Sequence, residues 1–287
     1  MARTMIKGYR DIDSLRASFN ELAKETFGLD FENWYRNGFW SDTYIPYSVA
    51  VNHKIVANVS VNRMDFTMGK QKKRYLQLGT VMTKPEYRNR GYIRDLMNQI
   101  QNDYADCAGF FLWANDSVLD FYPKFGFQPC KEYRFRKSIC GGKAAEAEPV
   151  RMKGREDWNR FLAQKAKRQS NGVIQMENDG LFMFYLTQFM QENVYYIKRL
   201  DAYVIAEIEN KTLVLHDVFS STPVDWDAVF AAFGRRLETV QFAFTPNSTE
   251  GLDLYEHKES DSTFFLLGDA LENDMKVIRS FPSLAHA

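Results

Sequence analysis

Between Asp11 and Phe27 the apolar residues Leu15, Phe19, Leu22 and Ala23 return every three or four positions, which gathers them on one side of an α-helix. Asp30 to Tyr35 predicts a second, short helix, closed by Asn37-Gly38. The period then changes. Tyr44 to Val51 reads as a strand, and after a turn at Asn52-His53 the residues Ile55, Ala57, Val59 and Val61 alternate with others, predicting a strand over Ile55 to Val61 with those four on one face. Arg74 to Thr83 is a third strand, ended by Lys84 and by Pro85, which lacks a backbone donor and restrains its predecessor. A helix opens at Gly91 and runs to about Tyr104, with Ile93, Leu96, Met97, Ile100 and Tyr104 along one face. Phe110 to Ala114 is a short buried strand, Val118 to Lys124 a short helix broken by Gly126, and Phe127 to Arg136 a returning strand. Strands separated by one long helix predict an α/β domain with a mixed sheet.

Gly141 to Pro149, a Gly-Gly followed by small and charged residues and then Pro, is the best linker candidate. It divides the chain into residues 1–140, a linker 141–149 and a second α+β domain over 150–287. In that second half Glu156 to Ser170 and Asp225 to Leu237 look helical. Gly180 to Phe189 is apolar and aromatic. Val194 to Glu209, Thr212 to Phe219, Val240 to Thr245 and Thr263 to Leu267 look like strands. Leu213, Leu215, Val218, Phe219 and Ser220 echo Leu76, Leu78, Val81, Met82 and Thr83 in order, and Asn247 and Tyr255 echo Asn115 and Tyr122 less closely. A diverged duplication and a chance alternation both account for this.

Charge removes some classes of partner. Lys plus Arg and Asp plus Glu number 37 each, so no global field draws the chain to nucleic acid or membrane. The basic run at Lys70, Lys72, Lys73 and Arg74 is explained by a solvated hairpin turn about as well as by a binding role. Three cysteines without a CxxC pair suit a reducing compartment, and the four scattered histidines give no local metal cluster. No signal-like or membrane-spanning apolar run is present, so the expected location is the cytoplasm, with no metal and no membrane partner.

The sharpest chemical feature is the stretch from Leu78 to Ile93, a strand, a turn and a helix start. The first N–H groups of a helix have no internal partner and the helix dipole favours an anion there. Gly91 permits close backbone approach, and Arg88, Arg90 and Arg94 add positive charge. The set suits a pyrophosphate cradle and equally a basic helix N-terminus with a turn glycine, and without Gly-Lys-Ser or Gly-Lys-Thr it is not a Walker loop.

Together with a second segment, Asn115 to Phe127, this stretch resembles the GNAT superfamily of N-acetyltransferases over roughly Met5 to Lys137. The family's Arg/Gln-x-x-Gly-x-Gly/Ala pattern falls on Arg88, Gly91 and Ile93, the last departing from the usual small residue. Asn115, Phe121 and Tyr122 fall on the family's Asn-x-x-Ala-x-x-Leu-Tyr segment, with Val118 in place of the alanine. The resemblance implies a GNAT-like first domain that binds acetyl-CoA through Val81, Met82, Thr83, Arg88, Asn89, Arg90, Gly91, Tyr92, Ile93, Arg94, Asn115 and Phe121, with Tyr122 as the catalytic general acid. A closer likeness is to the enhanced-intracellular-survival type, carried by Trp34 to Trp40 and by the echo after residue 150. It implies that the second domain is a degenerate, non-catalytic GNAT-like fold.

The reaction implied is attack of a primary amine on the acetyl-CoA thioester in a ternary complex. Two alternatives stand beside it: a CoA-binding sensor or structural protein without turnover, and an acyltransferase using a non-acetyl donor. The acceptor is not named by the residues. Nor is the base, for which Asp30, Glu32, Asp42, a water chain or the terminal carboxylate of Ala287 are the candidates; the tail Phe281 to Ala287 is apolar enough to tuck into a groove. In the second half Asp225 and Asp227 stand where the echo should carry Arg-x-x-Gly and would repel a pyrophosphate. That half is expected to shape the acceptor pocket or to mediate self-association.

Overall fold

The computed structural model describes residues 3–139, 146–152, 154–234 and 237–286. In chain order the strands of the first half are β1 (Arg3–Lys7), β2 (Tyr44–Val51), β3 (Lys54–Met68), β4 (Gln71–Thr83), β5 (Phe110–Ala114), β6 (Gln128–Pro129) and β7 (Glu132–Ser138). Those that follow are β8 (Glu148–Pro149), β9 (Gln175–Met176), β10 (Val194–Ile197), β11 (Ala202–Glu209), β12 (Thr212–Ser220), β13 (Thr239–Phe242), β14 (Asp253–His257) and β15 (Thr263–Leu267). The helices are α1 (Asp13–Phe27), α2 (Glu32–Arg36), α3 (Tyr92–Asp103), α4 (Arg155–Lys165), α5 (Asp179–Gln188), α6 (Trp226–Ala232) and α7 (Asp269–Ile278).

The strands form two sheets, giving a mixed α/β fold with two sheet-containing domains. The first runs β1-β2-β3-β4-β5-β15-β6, with β9 beside β3; the second runs β14-β7-β13-β12-β11-β10-β8. Each sheet therefore takes a strand from the other half of the chain. β15 lies between β5 and β6, and β7 lies between β14 and β13. The strand expected over Phe127 to Arg136 is accordingly two strands in two sheets. Pro129 has no N–H to continue a ladder, and the chain leaves the first sheet there.

β3 is buried on both faces because α1 covers one with Phe19, Leu22 and Ala23 and α3 covers the other with Leu96, Met97 and Ile100. Ala57, Val59 and Val61 share the α3 face, as their alternation predicts. Ile55 does not: a bulge opposite Val49 and Ala50 shifts the register and turns Ile55 to the α1 side. Lys70 sits at the tip of the β3–β4 hairpin, where Met68 pairs with Gln71.

Other elements depart from their expected bounds. Val118 to Lys124 is two 3-10 turns, Asp116–Val118 and Tyr122–Phe125; Pro123 lies inside the second, and Gly126, at φ 87°, closes it. Val194 to Glu209 is broken by a 3-10 turn at Lys198–Leu200. α4 stops at Lys165, short of Ser170, and α6 at Ala232, short of Leu237. Gly180 to Phe189 coincides with α5. β1, β14 and α7 have no counterpart in the periodicity; β1 is almost wholly exposed, with only Ile6 packed on the core. Of the expected linker, residues 141–145 lie outside the described residues, while Glu148–Pro149 pairs with β10. Among the described residues no helix is long and apolar enough to cross a membrane, and no group of His, Cys, Asp and Glu could hold a metal ion.

Candidate active site

β4 ends at Thr83, and the chain turns through a 3-10 helix at Pro85–Tyr87 into the start of α3. Asn89 (φ 61°) and Gly91 (φ 76°) are both left-handed, and only Gly91 is free of a side-chain penalty. Gly91 is the N-cap of α3 and supplies no capping side chain, so the first turn keeps its backbone donors for another partner. A Cβ on Gly91 would also come within 2.8 Å of Arg94 Nη2. Arg88, Arg90 and Arg94 are exposed around this turn. Arg90 lies over the Tyr87 ring at 5.0 Å, and Arg3 over the Tyr92 ring at 4.9 Å. The one acid of the first turn, Asp95, is paired with Arg3. The set fits an anionic group: free helix donors, the helix dipole and three exposed arginines lie around one turn. Ile93 is half-buried and packs on the core below.

Beside this turn the first sheet opens. β4 and β5 are parallel and pair only through Leu76 with Phe110 and Gln77 with Phe111. Beyond that rung β4 continues to Thr83 against β3, and β5 continues to Ala114 against β15, so each has its outer edge bonded and its inner edge free of the other. Val81, Met82 and Thr83 lie on the free part of β4.

β4 is also bulged here. Asn58 pairs with Met82 and Ser60 with Gly79, leaving Thr80 and Val81 opposite Val59 alone. Thr80 is held at φ 50°. A buried polar network fixes this shape. Asn58 Nδ2 donates to the Thr80 carbonyl at 2.9 Å and to Ser60 Oγ at 2.9 Å. Ser48 Oγ donates to Asn58 Oδ1 at 2.8 Å and meets the Tyr9 hydroxyl at 2.6 Å, and the Tyr44 hydroxyl meets Thr80 Oγ1 at 2.8 Å. Sequence reading placed Val81 to Thr83 but missed the residues that bend the strand. The signal was the polar series Ser48, Asn58 and Ser60, each buried, among the apolar residues of β2 and the first half of β3.

Tyr122 is buried on the α3 face of the same sheet, its ring 5.9 Å from Phe265 and 6.2 Å from Phe127. Burial alone pushes its hydroxyl up to about 12, and among the described residues that hydroxyl has no hydrogen-bond partner. Phe121 packs edge-on against Tyr122 at 5.3 Å. Asn115 is exposed at the end of β5, where its Nδ2 donates to Asp261 Oδ2 at 2.9 Å, and Asp116 N–H donates to the other oxygen of Asp261 at 2.8 Å.

The carboxylates considered as bases are engaged elsewhere. Arg16 and Arg36 bond Glu32 and hold its carboxyl below the usual range. Asp42 is 2.9 Å from Arg10, and Asp30 accepts the Glu32 N–H at 2.8 Å. Trp34 and Trp40 are core residues, stacked at 5.5 Å, with Trp34 Nε1 bonded to the Gly180 carbonyl across to α5. Ala287 lies outside the described residues. The tail before it is buried: Phe281 stacks on Phe111 of β5 at 4.2 Å, and His286 stacks on Trp113 at 4.3 Å.

The second sheet repeats the opening and closes it. β12 and β13 are parallel and pair over Thr212–Leu215 with Thr239–Phe242. Beyond that point the tail enters between them. Ser283 N–H donates to the Ala243 carbonyl at 2.8 Å, and Ser283 Oγ shares a hydrogen bond with His216 Nδ1 at 2.7 Å. His216 is held in turn by Glu207 at 3.0 Å. The helix that follows, α6, is capped by its own sequence, with Asp225 Oδ1 accepting the Ala228 N–H at 3.1 Å. Asp227 is bonded to Lys137 at 2.8 Å.

Residues 12–130 match the family model for the acetyltransferase (GNAT) domain. The chain is similar in structure to a conserved protein from Enterococcus faecalis V583 described as a "Probable N-Acyltransferase", with TM-score 0.60 and 13% identity over 96% of this chain and 75% of that one. It is similar also to a GCN5-related N-acetyltransferase from Kribbella flavida, with TM-score 0.56 and 18% identity over 92% and 71%. A third likeness is to Eis1 from Mycobacterium abscessus, with TM-score 0.53 and 11% identity over 92% and 73%. None of the curated proteins matches the chain. The chain has the GNAT-superfamily acetyltransferase fold.

Proposed function

We propose that the protein is an N-acyltransferase that moves an acetyl group from acetyl-CoA to a primary amine, by direct attack in a ternary complex. The observation that carries this reading is the uncapped N-terminus of α3 beside the unpaired inner edge of β4. A phosphate group on α3 and an extended, amide-bearing arm along β4 would use donors that the fold leaves open side by side. Arg88, Asn89, Arg90, Gly91, Tyr92, Ile93 and Arg94 would hold the pyrophosphate end. Val81, Met82 and Thr83 would hold the arm as a missing strand would, and Asn115 and Phe121 would border its far side.

Bound acetyl-CoA supplies an activated thioester carbonyl. The protein's part is orientation, charge stabilisation and proton movement. The bulge at Thr80 and Val81 takes backbone groups of β4 out of the ladder, where their donors would stabilise the carbonyl oxygen. Tyr122 Oη donates its proton to the sulfur that leaves. The incoming amine must first be neutral: an alkylamine of pKa ~10.4 is only about 0.1% neutral near pH 7.4, a cost of roughly 4 kcal/mol unless the site removes the proton.

The second half serves as scaffold in this reading. Its opening is filled by Ser283 and its helix start by Asp225, so it would take no CoA, an arrangement in keeping with the enhanced-intracellular-survival type. The reading is tested by incubating the chain with acetyl-CoA and a panel of primary amines and identifying products by mass spectrometry. Acetylated amine is expected, and it should be lost in the Tyr122→Phe variant. Acetyl-CoA left intact with every amine overturns the enzyme reading.

A further inference from the structure

On the face of the first sheet opposite Tyr122, a polar cluster closes over β5. Trp113 Nε1 donates to Glu132 at 2.8 Å, and the Trp113 ring carries His286 at 4.3 Å. His286 Nδ1 faces Glu259 at 4.0 Å; Glu259 is bonded to His257 at 3.2 Å and to Arg134 at 3.4 Å. Tyr185 donates its hydroxyl proton to the His286 carbonyl and so pins the backbone. The imidazole is thus held by one ring stack and its backbone by one hydrogen bond, and a third of its side chain, 33%, stays open.

The ladder between β5 and β15 sets this group against Tyr122. Leu112 pairs with Phe265, and Trp113 with Phe264. Tyr122 packs on Phe265 from the α3 side, and His286 on Trp113 from the other. The two residues bracket consecutive rungs of one ladder from opposite faces, at the end of β5 where β4 has parted from it.

We infer that His286 is the proton acceptor for the amine, a catalytic assignment that rests on the acyl-transfer reading above. Nδ1 lies toward Glu259, at 4.0 Å, and Nε2 is assigned the substrate's proton. Nε2 takes one proton from the alkylammonium group before attack, and the nitrogen lone pair so freed bonds to the carbonyl carbon; the carbon–sulfur bond breaks, the sulfur takes the proton of Tyr122 Oη, and the nitrogen's second surplus proton passes to solvent. The imidazolium and the tyrosinate are then reset through solvent, so protons and charge balance over the turnover. The groups facing His286 support a neutral ring. Burial lowers its pKa from the ordinary value, Glu259 opposes that and Arg134 adds to it, while Glu132 is kept above the usual carboxylate range by burial.

The test compares two acceptors at pH 7 with acetyl-CoA as donor. n-Propylamine is almost wholly protonated and needs a base; hydroxylamine is already largely neutral and does not. The variants are His286→Gln and His286→Phe, the second keeping a ring on Trp113, with acetyl-CoA affinity measured for both. The expected result is a loss on the order of 10²-fold or more with n-propylamine. The hydroxylamine rate and the acetyl-CoA affinity should stay within about threefold, the affinity because His286 lies on the face of the sheet away from α3 and the rate because no base is needed. Equal losses with both amines, or no loss with n-propylamine, overturn the assignment. A wild-type protein that consumes acetyl-CoA with neither amine removes the acyl-transfer reading itself, and the assignment with it.

Discussion

The Asn58 carboxamide donates to the Thr80 carbonyl at 2.9 Å, across two strands that are out of register at that point. This bond, more than any property of Thr80, keeps β4 bent beside the opening. A bulge leaves a backbone carbonyl without its ladder partner, and inside a core such a group costs about 1–3 kcal/mol if unsatisfied. Replacing Asn58 by Leu, of similar size, should therefore lower stability by at least that much. The denaturant midpoint should fall with its slope unchanged, and acetyl-CoA affinity should fall with it. An Asn58→Leu variant with wild-type midpoint and affinity would show that the bulge is held by other contacts.

Much of this region was legible in the sequence. The apolar faces of α1 and α3 and the alternation in β3 are local patterns, and they put Gly91 at the start of α3, whereas Tyr122, expected on a helix over Val118 to Lys124, lies on a 3-10 turn. What periodicity cannot carry is pairing between distant segments. Nothing near Phe127 to Arg136 says that Gln128–Pro129 joins one sheet and Glu132–Ser138 another. Nothing near residue 263 says that β15 lies against β5. The bulge depends on Asn58 reaching Thr80, 22 residues along the chain. His286 acquires its surroundings only through the distant β5, α5, β7 and the β14–β15 loop. The tail's apolar composition was visible; its place between β12 and β13 was not.

Tyr122 gives a prediction with a definite sign. Burial raises its pKa to about 12, so the hydroxyl keeps its proton through the range in which an ordinary tyrosine, near ~10, would lose it. Tyr122→Phe should cost roughly 10²-fold or more in turnover and leave acetyl-CoA affinity unchanged. The wild-type rate should show no alkaline loss at pH 10 from this group. Difference ultraviolet titration of wild type against Tyr122→Phe reads the ionisation directly. A midpoint at or below pH 10 would contradict the assigned environment.

The filled opening of the second sheet predicts one CoA per chain. Replacing both Asp225 and Asp227 by Ala removes the carboxylates at the start of α6 but leaves Ser283 bonded to Ala243 and beside His216. Calorimetric titration of that double variant with CoA should still give a stoichiometry of one. A value of two would mean that charge alone, and not the tail, closes the second half.

Glu259 predicts the acid limb of stability. Its hydrogen bond to His257 outweighs burial and, with His286 and Arg134, holds its folded pKa at about 2, below the ~4.3 of an unfolded glutamate. A lowered folded pKa contributes stability that is present above the unfolded value and lost as pH falls through the folded one. Glu259→Gln should thus be less stable than wild type at pH 6, with the difference shrinking between about pH 4.3 and 2. Urea midpoints across that range check it; a gap that stays constant or widens on acidification contradicts it.

The central claim is that acetyl-CoA binds along the free edge of β4 and on the start of α3. Amide hydrogen exchange with and without acetyl-CoA tests it directly. Protection is expected in residues 78–94, with none gained in residues 213–230, where the second sheet's equivalent opening is already occupied. Protection confined to 213–230, or no change in 78–94 at saturating acetyl-CoA, would contradict the account.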